Sequence, residues 1–195
     1  MSTERPVTLV MVRHSGLSEI LKIMKGEKQR KRPINRTHSQ EKIQQRKFNE
    51  PIVRTFTMDD LKSVMDICAS SLSEKYSESL FQEIYLNWPD GFLVGVVNGE
   101  IVGFIAGRKA SRSDARILML AVEEEVRSMG IGAALMKKFT EHSCSYGIIN
   151  LRLEVRTDNQ RGIDFYRKLG FIVSSIMRNY YSDGSDAYLM WKQLI

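Results

Sequence analysis

The sequence predicts an α/β domain on a mixed sheet, with elements in the order βααβββαβαββ over residues 51–195. Three observations carry this. Strand-length apolar runs alternate with stretches whose apolar residues recur at helical spacing. Asn98-Gly99 lies between two such runs, a strong signal for a two-residue hairpin. Gly130 and Gly170 mark where one helical pattern begins and another ends.

Ile52–Phe56 reads as the first strand. Thr57-Met58-Asp59-Asp60 then resembles a helix start, a Thr cap followed by acids in the first turn. Leu61, Val64, Met65 and Cys68 give that helix one apolar face, and Leu80, Phe81, Ile84 and Tyr85 do the same for a second over Ser77–Asn87. Phe92–Val97 and Glu100–Gly107 are the hairpin strands. After a polar loop at Ser111–Asp114, Arg116–Val122 is a third long strand. Gly130–His142 is helical, with Ile131, Ala134, Leu135 and Phe139 on one stripe. Asn150–Val155 is a strand and Gln160–Leu169 a helix. Phe171–Met177 and Ala187–Trp191 close the domain as a hairpin around Asp183-Gly184.

With 43% hydrophobic and 27% charged residues, the composition is that of a soluble globular protein. No apolar run approaches the roughly 20 residues of a membrane span, so no membrane association is expected. The short apolar run at residues 7–12 lacks a basic leader and a small-residue cleavage site, which makes the cytoplasm the expected compartment. Cys68 and Cys144 are expected to be buried, reduced thiols rather than a disulfide or a nucleophile. His14, His38 and His142 have no ligand spacing, so no metal site is expected.

The net charge of +6 is unevenly spread. Residues 1–50 hold 12 Lys/Arg and 5 Asp/Glu, whereas residues 51–195 hold 17 and 18. Residues 26–50 are polar and basic, too poor in large apolar side chains to offset the entropy of ordering. Residues 15–25 could form a short amphipathic helix through Leu17, Ile20, Leu21 and Met24. Residues 1–50 are therefore expected to be a basic, flexible extension, either simply solvated or an electrostatic tether to ribosomal RNA. Interleaved aromatics and a zinc-ligand pattern are missing from it, which argues against sequence-specific nucleic-acid binding.

The chemistry starts at Leu120–Ala133. An apolar strand (Leu120, Ala121, Val122) ends in an acidic turn, and Arg127-Ser128-Met129-Gly130-Ile131-Gly132 leads into a helix. Glycines let backbone approach a ligand closely, and the first N–H groups of a helix lack internal acceptors. They form a ready anion site at the positive end of the dipole. A dinucleotide fold would need three spaced glycines and an acid about 20 residues on, and that context is missing.

Arg-x-x-Gly-x-Gly after such a strand resembles the acetyl-CoA motif of the GCN5-related N-acetyltransferase (GNAT) superfamily. Leu153-Glu154-Val155-Arg156, Asn159 and Phe165-Tyr166-Arg167-Lys168-Leu169-Gly170-Phe171 resemble its second motif. The resemblance covers roughly residues 51–195. It implies a mostly antiparallel central sheet flanked by helices and acetyl-CoA as acetyl donor. It also implies a splayed strand at Leu120–Val122 whose backbone pairs with the pantetheine arm, and a pyrophosphate cradle at Arg127 and Ser128–Ala133.

Two further strings resemble enzymes that acetylate protein N-termini. They are Leu72-Ser73-Glu74-Lys75-Tyr76 and the terminal hairpin from Asn179-Tyr180-Tyr181 to Met190. The match implies that Leu72, Glu74, Tyr76 and Tyr181 line the peptide slot, with protein N-termini, ribosomal ones included, as the acceptor. An α-amine with pKa of about 7.7–8 is roughly one-tenth neutral at pH 7 and needs only modest base help. Glu154 is the candidate base, directly or through a water. The reaction expels a thiolate of pKa about 8.5–10, and Tyr166 is the candidate acid or hydrogen-bond donor to that sulfur. Some relatives carry His or Tyr at the positions matching Glu154 and Arg116; Arg116 departs from both. Two alternatives stay open: acetylation of a small amine or a lysine side chain, and a non-catalytic acetyl-CoA-binding protein.

Overall fold

A computed structural model describes residues 50–72 and 76–194. Its strands are β1 (Ile52–Thr55), β2 (Phe92–Val97), β3 (Glu100–Lys109), β4 (Asp114–Val122), β5 (Asn150–Arg156), β6 (Ile172–Met177) and β7 (Ala187–Gln193). The α-helices are α1 (Leu61–Ser71), α2 (Glu78–Asn87), α3 (Ile131–Ser145) and α4 (Gln160–Lys168). This is the order βααβββαβαββ. One seven-stranded sheet runs β1-β2-β3-β4-β5-β7-β6. Every strand pairing in it is antiparallel except β4 with β5.

Local chemistry sets the element ends. The Thr57 backbone N–H donates to Asp60 Oδ2 at 2.8 Å, closing the N-terminal box before α1. Arg54 clamps the same carboxylate through both terminal nitrogens, at 2.6 and 2.8 Å. That hydrogen bond, foremost among the causes, lowers the Asp60 pKa. Asn98 and Gly99 take φ of 52° and 85°, as a two-residue hairpin turn with the right-handed strand twist demands.

The sheet separates two apolar layers. On one face α1 and α2 pack on β3 and β4 around Phe56, Phe81, Phe92 and Phe104. On the other, α3 and α4 cover Leu120, Leu151, Leu153 and Val155 with Leu135, Phe139, Ile163 and Tyr166. The strand β4 serves both. It carries an extra residue, Leu118, between Ile117↔Gly107 and Met119↔Ala106. This bulge puts Leu118 and Met119 in the first layer while Ile117, Leu120 and Val122 enter the second.

The two cysteines part company. Cys68 is buried, its thiol pushed up to about 12 by desolvation, but Cys144 is exposed, contrary to the expectation of two buried thiols. The apolar stripe Ile131, Leu135, Phe139 continues to Ser143, which is fully buried and donates to the Phe139 carbonyl at 2.8 Å. Cys144 lies about 100° further round the helix. Among the described residues no helix is long and apolar enough to cross a membrane. The expected basic extension, apart from Glu50, lies outside the described residues.

Candidate active site

The site is built where two parallel strands part. β4 and β5 pair only at Asp114↔Asn150, Ala115↔Leu151 and Arg116↔Arg152. Beyond Arg116 the Leu118 bulge bends β4, which continues to Val122 paired with β3 alone. β5 runs on to Arg156 paired with β7. Among the described residues, the β5-facing backbone edge of 117–122 is therefore left without a strand partner, as in the splay implied by the family resemblance. The side chains of Leu120, Ala121 and Val122 are buried in the two layers, so a ligand in the splay would meet their backbone.

At the far end of β4 the chain turns through a short 3-10 helix into α3. Ser128 and Gly130 both adopt left-handed backbone, with φ of 72° and 84°. A Cβ at Gly130 would meet nothing within 4 Å, so this turn opens onto free space at the N-terminus of α3. Ser128, Met129 and Ala133 are exposed around it, whereas Ile131 turns into the core.

Arg127 takes a different part from the one its charge suggests. Its Nε donates to the Val122 carbonyl at 2.8 Å, bracing the end of the splayed strand. Burial lowers its pKa, and the nearby charge of Arg161 adds to that. Arg161 itself donates to Ser128 Oγ at 3.2 Å. The sequence reading missed Arg161, although a cation in the first turn of α4, against the helix dipole, was a visible signal. The Arg161 guanidinium and a helix N-terminus at one turn suit a diphosphate.

α4 supplies two buried polar atoms that lack partners among the described residues, Asn159 Nδ2 and the Tyr166 hydroxyl. Asn159 Oδ1 caps α4 by accepting from Gly162 N at 2.9 Å, which leaves the amide nitrogen as a spare donor. Tyr166 is fully buried; desolvation, aided by the nearby Tyr181, holds its pKa well above 10. Near neutral pH it is therefore an O–H donor. An orphaned buried hydroxyl and amide beside a splay and an anion turn fit the polar groups of a CoA thioester.

The other face of β5 carries Arg152, Glu154 and Arg156, the alternation opposite Leu151, Leu153 and Val155. Glu154 is 6% exposed, and its Oε2 accepts from Arg116 Nε at 2.9 Å. Arg116 also donates from its NH2 group to the Tyr180 hydroxyl at 2.5 Å. Burial and the Glu154 carboxylate push the Tyr180 phenol up to about 12. Arg156 bonds Asp183 and, at 2.5 Å, Ser185 Oγ, and its guanidinium lies 4.5 Å from the Tyr181 ring centroid. Two arginines from neighbouring strands thus fasten the β6–β7 loop over Glu154. Neither Tyr180 nor the anchoring by Arg156 was foreseen, because both depend on partners distant in sequence.

The expected peptide-lining residues divide. Tyr181 is buried beside Tyr180, ring centroids 5.2 Å apart, and near Tyr166. Tyr76 is half-buried against Phe81 at the start of α2. Leu72 ends α1 through its N–H to the Cys68 carbonyl at 2.8 Å and is buried in the α1/α2 layer. Glu74 lies outside the described residues. Among the described residues no group of three His, Cys, Asp or Glu could hold a metal ion.

Known proteins are similar to this chain in sequence and fold. Residues 60–171 match the acetyltransferase (GNAT) family model. The chain is 32% identical over 157 residues to an N-alpha-acetyltransferase of Sulfurisphaera tokodaii, an alignment spanning 74% of this chain and 94% of that one. The crystal structure of Ard1 from Thermoplasma volcanium matches with a TM-score of 0.73 at 44% identity, covering 74% of this chain and 98% of Ard1. The ribosomal-protein-S18-alanine N-acetyltransferase of Escherichia coli matches at 0.66 and 26% identity, over 74% and 94% of the two chains.

Proposed function

The chain belongs to the GNAT family of acetyltransferases, and on that premise we propose that it transfers acetyl from acetyl-CoA to the α-amine at protein N-termini. The observation that carries this reading is the loop architecture over Glu154. Arg116 and Arg156 hold Tyr180 and Tyr181 against the strand that bears the carboxylate. Such a fixed wall suits a peptide backbone; a small amine needs none. The N-alpha-acetyltransferase relative and the Ard1 structure support the same acceptor.

Acetyl-CoA, when bound, supplies an activated thioester. Ser128–Ala133 and the first N–H groups of α3 bind its diphosphate, with Arg161 beside them and Arg127 locking the Val122 carbonyl. The free edge of Leu120–Val122 would align the pantetheine arm, and Asn159 Nδ2 would donate to it. Glu154 takes a proton from the attacking amine, directly or through one water, with its Oε2 fixed by Arg116. As the amine nitrogen bonds to the acetyl carbon and the carbon–sulfur bond breaks, the Tyr166 hydroxyl would donate a hydrogen bond to the departing thiolate. Because the amine is already partly neutral near pH 7, one carboxylate is a sufficient base.

Residues 51–195 form the catalytic domain in this reading. The basic segment 1–50 holds the cytoplasmic enzyme near ribosomes, where new N-termini emerge, and its net charge of +7 supports that role. Salt-sensitive pelleting with ribosomes, lost on removal of residues 1–50, tests it; equal pelleting of both forms refutes it. The activity is tested with acetyl-CoA and peptides beginning Ser, Ala, Met-Leu or Glu. Thiol release with at least one of them is expected, and none with any would overturn the proposal.

A further inference from the structure

The register of β3, β4 and β5 sets three arginines side by side on one face, since Arg108 pairs with Arg116 and Arg116 with Arg152. Directly opposed residues hold their Cβ atoms about 5 Å apart, and like charges there repel. Two carboxylates stand on this face of β4 and β5 near the row. Glu154 is engaged by Arg116. Asp114, one step along β4, is held by Ser111, Ser113 and the Asn150 amide, and Arg152 is the least of the influences on it.

Neither carboxylate is therefore engaged by Arg152 through a hydrogen bond or an ion pair. Arg152 forms no ion pair among the described residues, and its Nε is buried without a hydrogen-bond partner. Its neighbour across β7 is Trp191, an apolar wall rather than a counter-charge. Arg152 as a whole is half-buried, but an Nε–H of a charged group buried without an acceptor costs more than a neutral one, so the site favours whatever brings it an anion. Its charge also reaches the Tyr180 hydroxyl, the same group that Arg116 holds beside Glu154.

Resting on the N-terminal acetylation reading, we infer that Arg152 is a specificity residue that receives a side-chain carboxylate from the acceptor peptide. Arg152 and Glu154 are two residues apart on one strand face, about 7 Å. An extended peptide whose amine sits at Glu154 spans that distance in about two residues. The carboxylate therefore comes from one of the first three residues of the acceptor, and acidic N-terminal segments are the favoured substrate class. Trp191 flanks Arg152 on β7, and Tyr180 lies within reach of its charge.

The test compares peptides that differ only by Glu, Gln or Lys at residues 2 and 3. Wild-type enzyme is expected to favour Glu over Lys by about tenfold in kcat/KM, mostly through KM, the scale of one charge-assisted hydrogen bond. That preference should fall to about twofold or less in Arg152→Gln, partly return in Arg152→Lys, and shrink for wild type in about 0.5 M salt. An equal rate for Glu and Lys peptides with wild type overturns the inference, whether or not the variant folds. So does a preference that survives intact in folded Arg152→Gln. Direct binding of labelled Glu and Lys peptides is measured in parallel. If no peptide is acetylated, the activity reading fails, yet stronger binding of the Glu peptide that depends on Arg152 still upholds this inference, and its absence sinks it.

Discussion

Replacing Tyr166 by Phe should raise stability and abolish most activity, two effects of opposite sign from one oxygen atom. The hydroxyl is fully buried and has no hydrogen-bond partner among the described residues. Such a group costs about 1–3 kcal/mol relative to an apolar atom in its place. Removing it should gain about 1–2 kcal/mol in the ligand-free protein. At about 2–4 °C per kcal/mol for a domain of this size, Tm should rise by roughly 2–8 °C. There is a further signature in pH. Because the folded-state pKa is raised, the neutral phenol favours folding below the unfolded value of about 10, and that advantage is lost as pH climbs towards the folded value. Wild type should therefore lose stability above about pH 10 that Tyr166→Phe retains. Turnover should fall by about a hundredfold, the scale of one donor to developing charge. Urea denaturation without ligand, paired with initial rates of thiol release, makes both measurements on one preparation. A variant less stable than wild type with undiminished turnover would refute the reasoning, for the hydroxyl would then be a satisfied core group.

Arg116→Ala should leave the Glu154 carboxylate buried without its partner and cost about 3 kcal/mol by urea denaturation, together with a loss of turnover. A stable, fully active variant would dismiss Arg116 from the site. Gly107→Ala would place a Cβ 2.5 Å from Phe139 Cζ and 2.9 Å from the Arg116 carbonyl oxygen, and the latter is backbone. A destabilisation of about 1–3 kcal/mol is expected, and a Tm equal to wild type would contradict the close approach of α3 to β3. In the native protein a thiol reagent should label Cys144 quickly and Cys68 only after unfolding, because Cys68 is buried with its thiol pushed up to about 12. Equal labelling of the two would refute that burial.

What the sequence made legible was local. Asn98-Gly99 forced its hairpin because the turn needs positive φ at both positions, and Thr57 with Asp60 marked the first helix because both partners lie within one turn. The turn into α3 was legible for the same reason: its glycines and its helix start are contiguous. Strand ends were harder. β3 continues through Arg108 and Lys109, and β4 begins at Asp114, because ladder pairing across the sheet outweighs their polarity. The bulge at Leu118 left no trace, since both of its neighbouring layers are apolar and either register reads alike.

In the site, Glu154 and Tyr166 were visible as motif positions, but their partners were not. Tyr180 lies 64 residues from the Arg116 that binds it, and Arg156 reaches across to Asp183 in another loop. Such contacts are products of the completed sheet. Cys144 was misjudged from residue type, where the stripe through Leu135 and Phe139 already pointed to Ser143.

Fragmentation mass spectrometry of one acetylated peptide tests the central claim most directly. The peptide carries a free α-amine at its first residue and a lysine further along, and is incubated with acetyl-CoA and the full-length enzyme. The acetyl group is predicted on the first residue alone, with no product from the same peptide blocked at its N-terminus. Acetyl on the lysine side chain, or turnover of the blocked peptide, would contradict the assignment of the α-amine as acceptor.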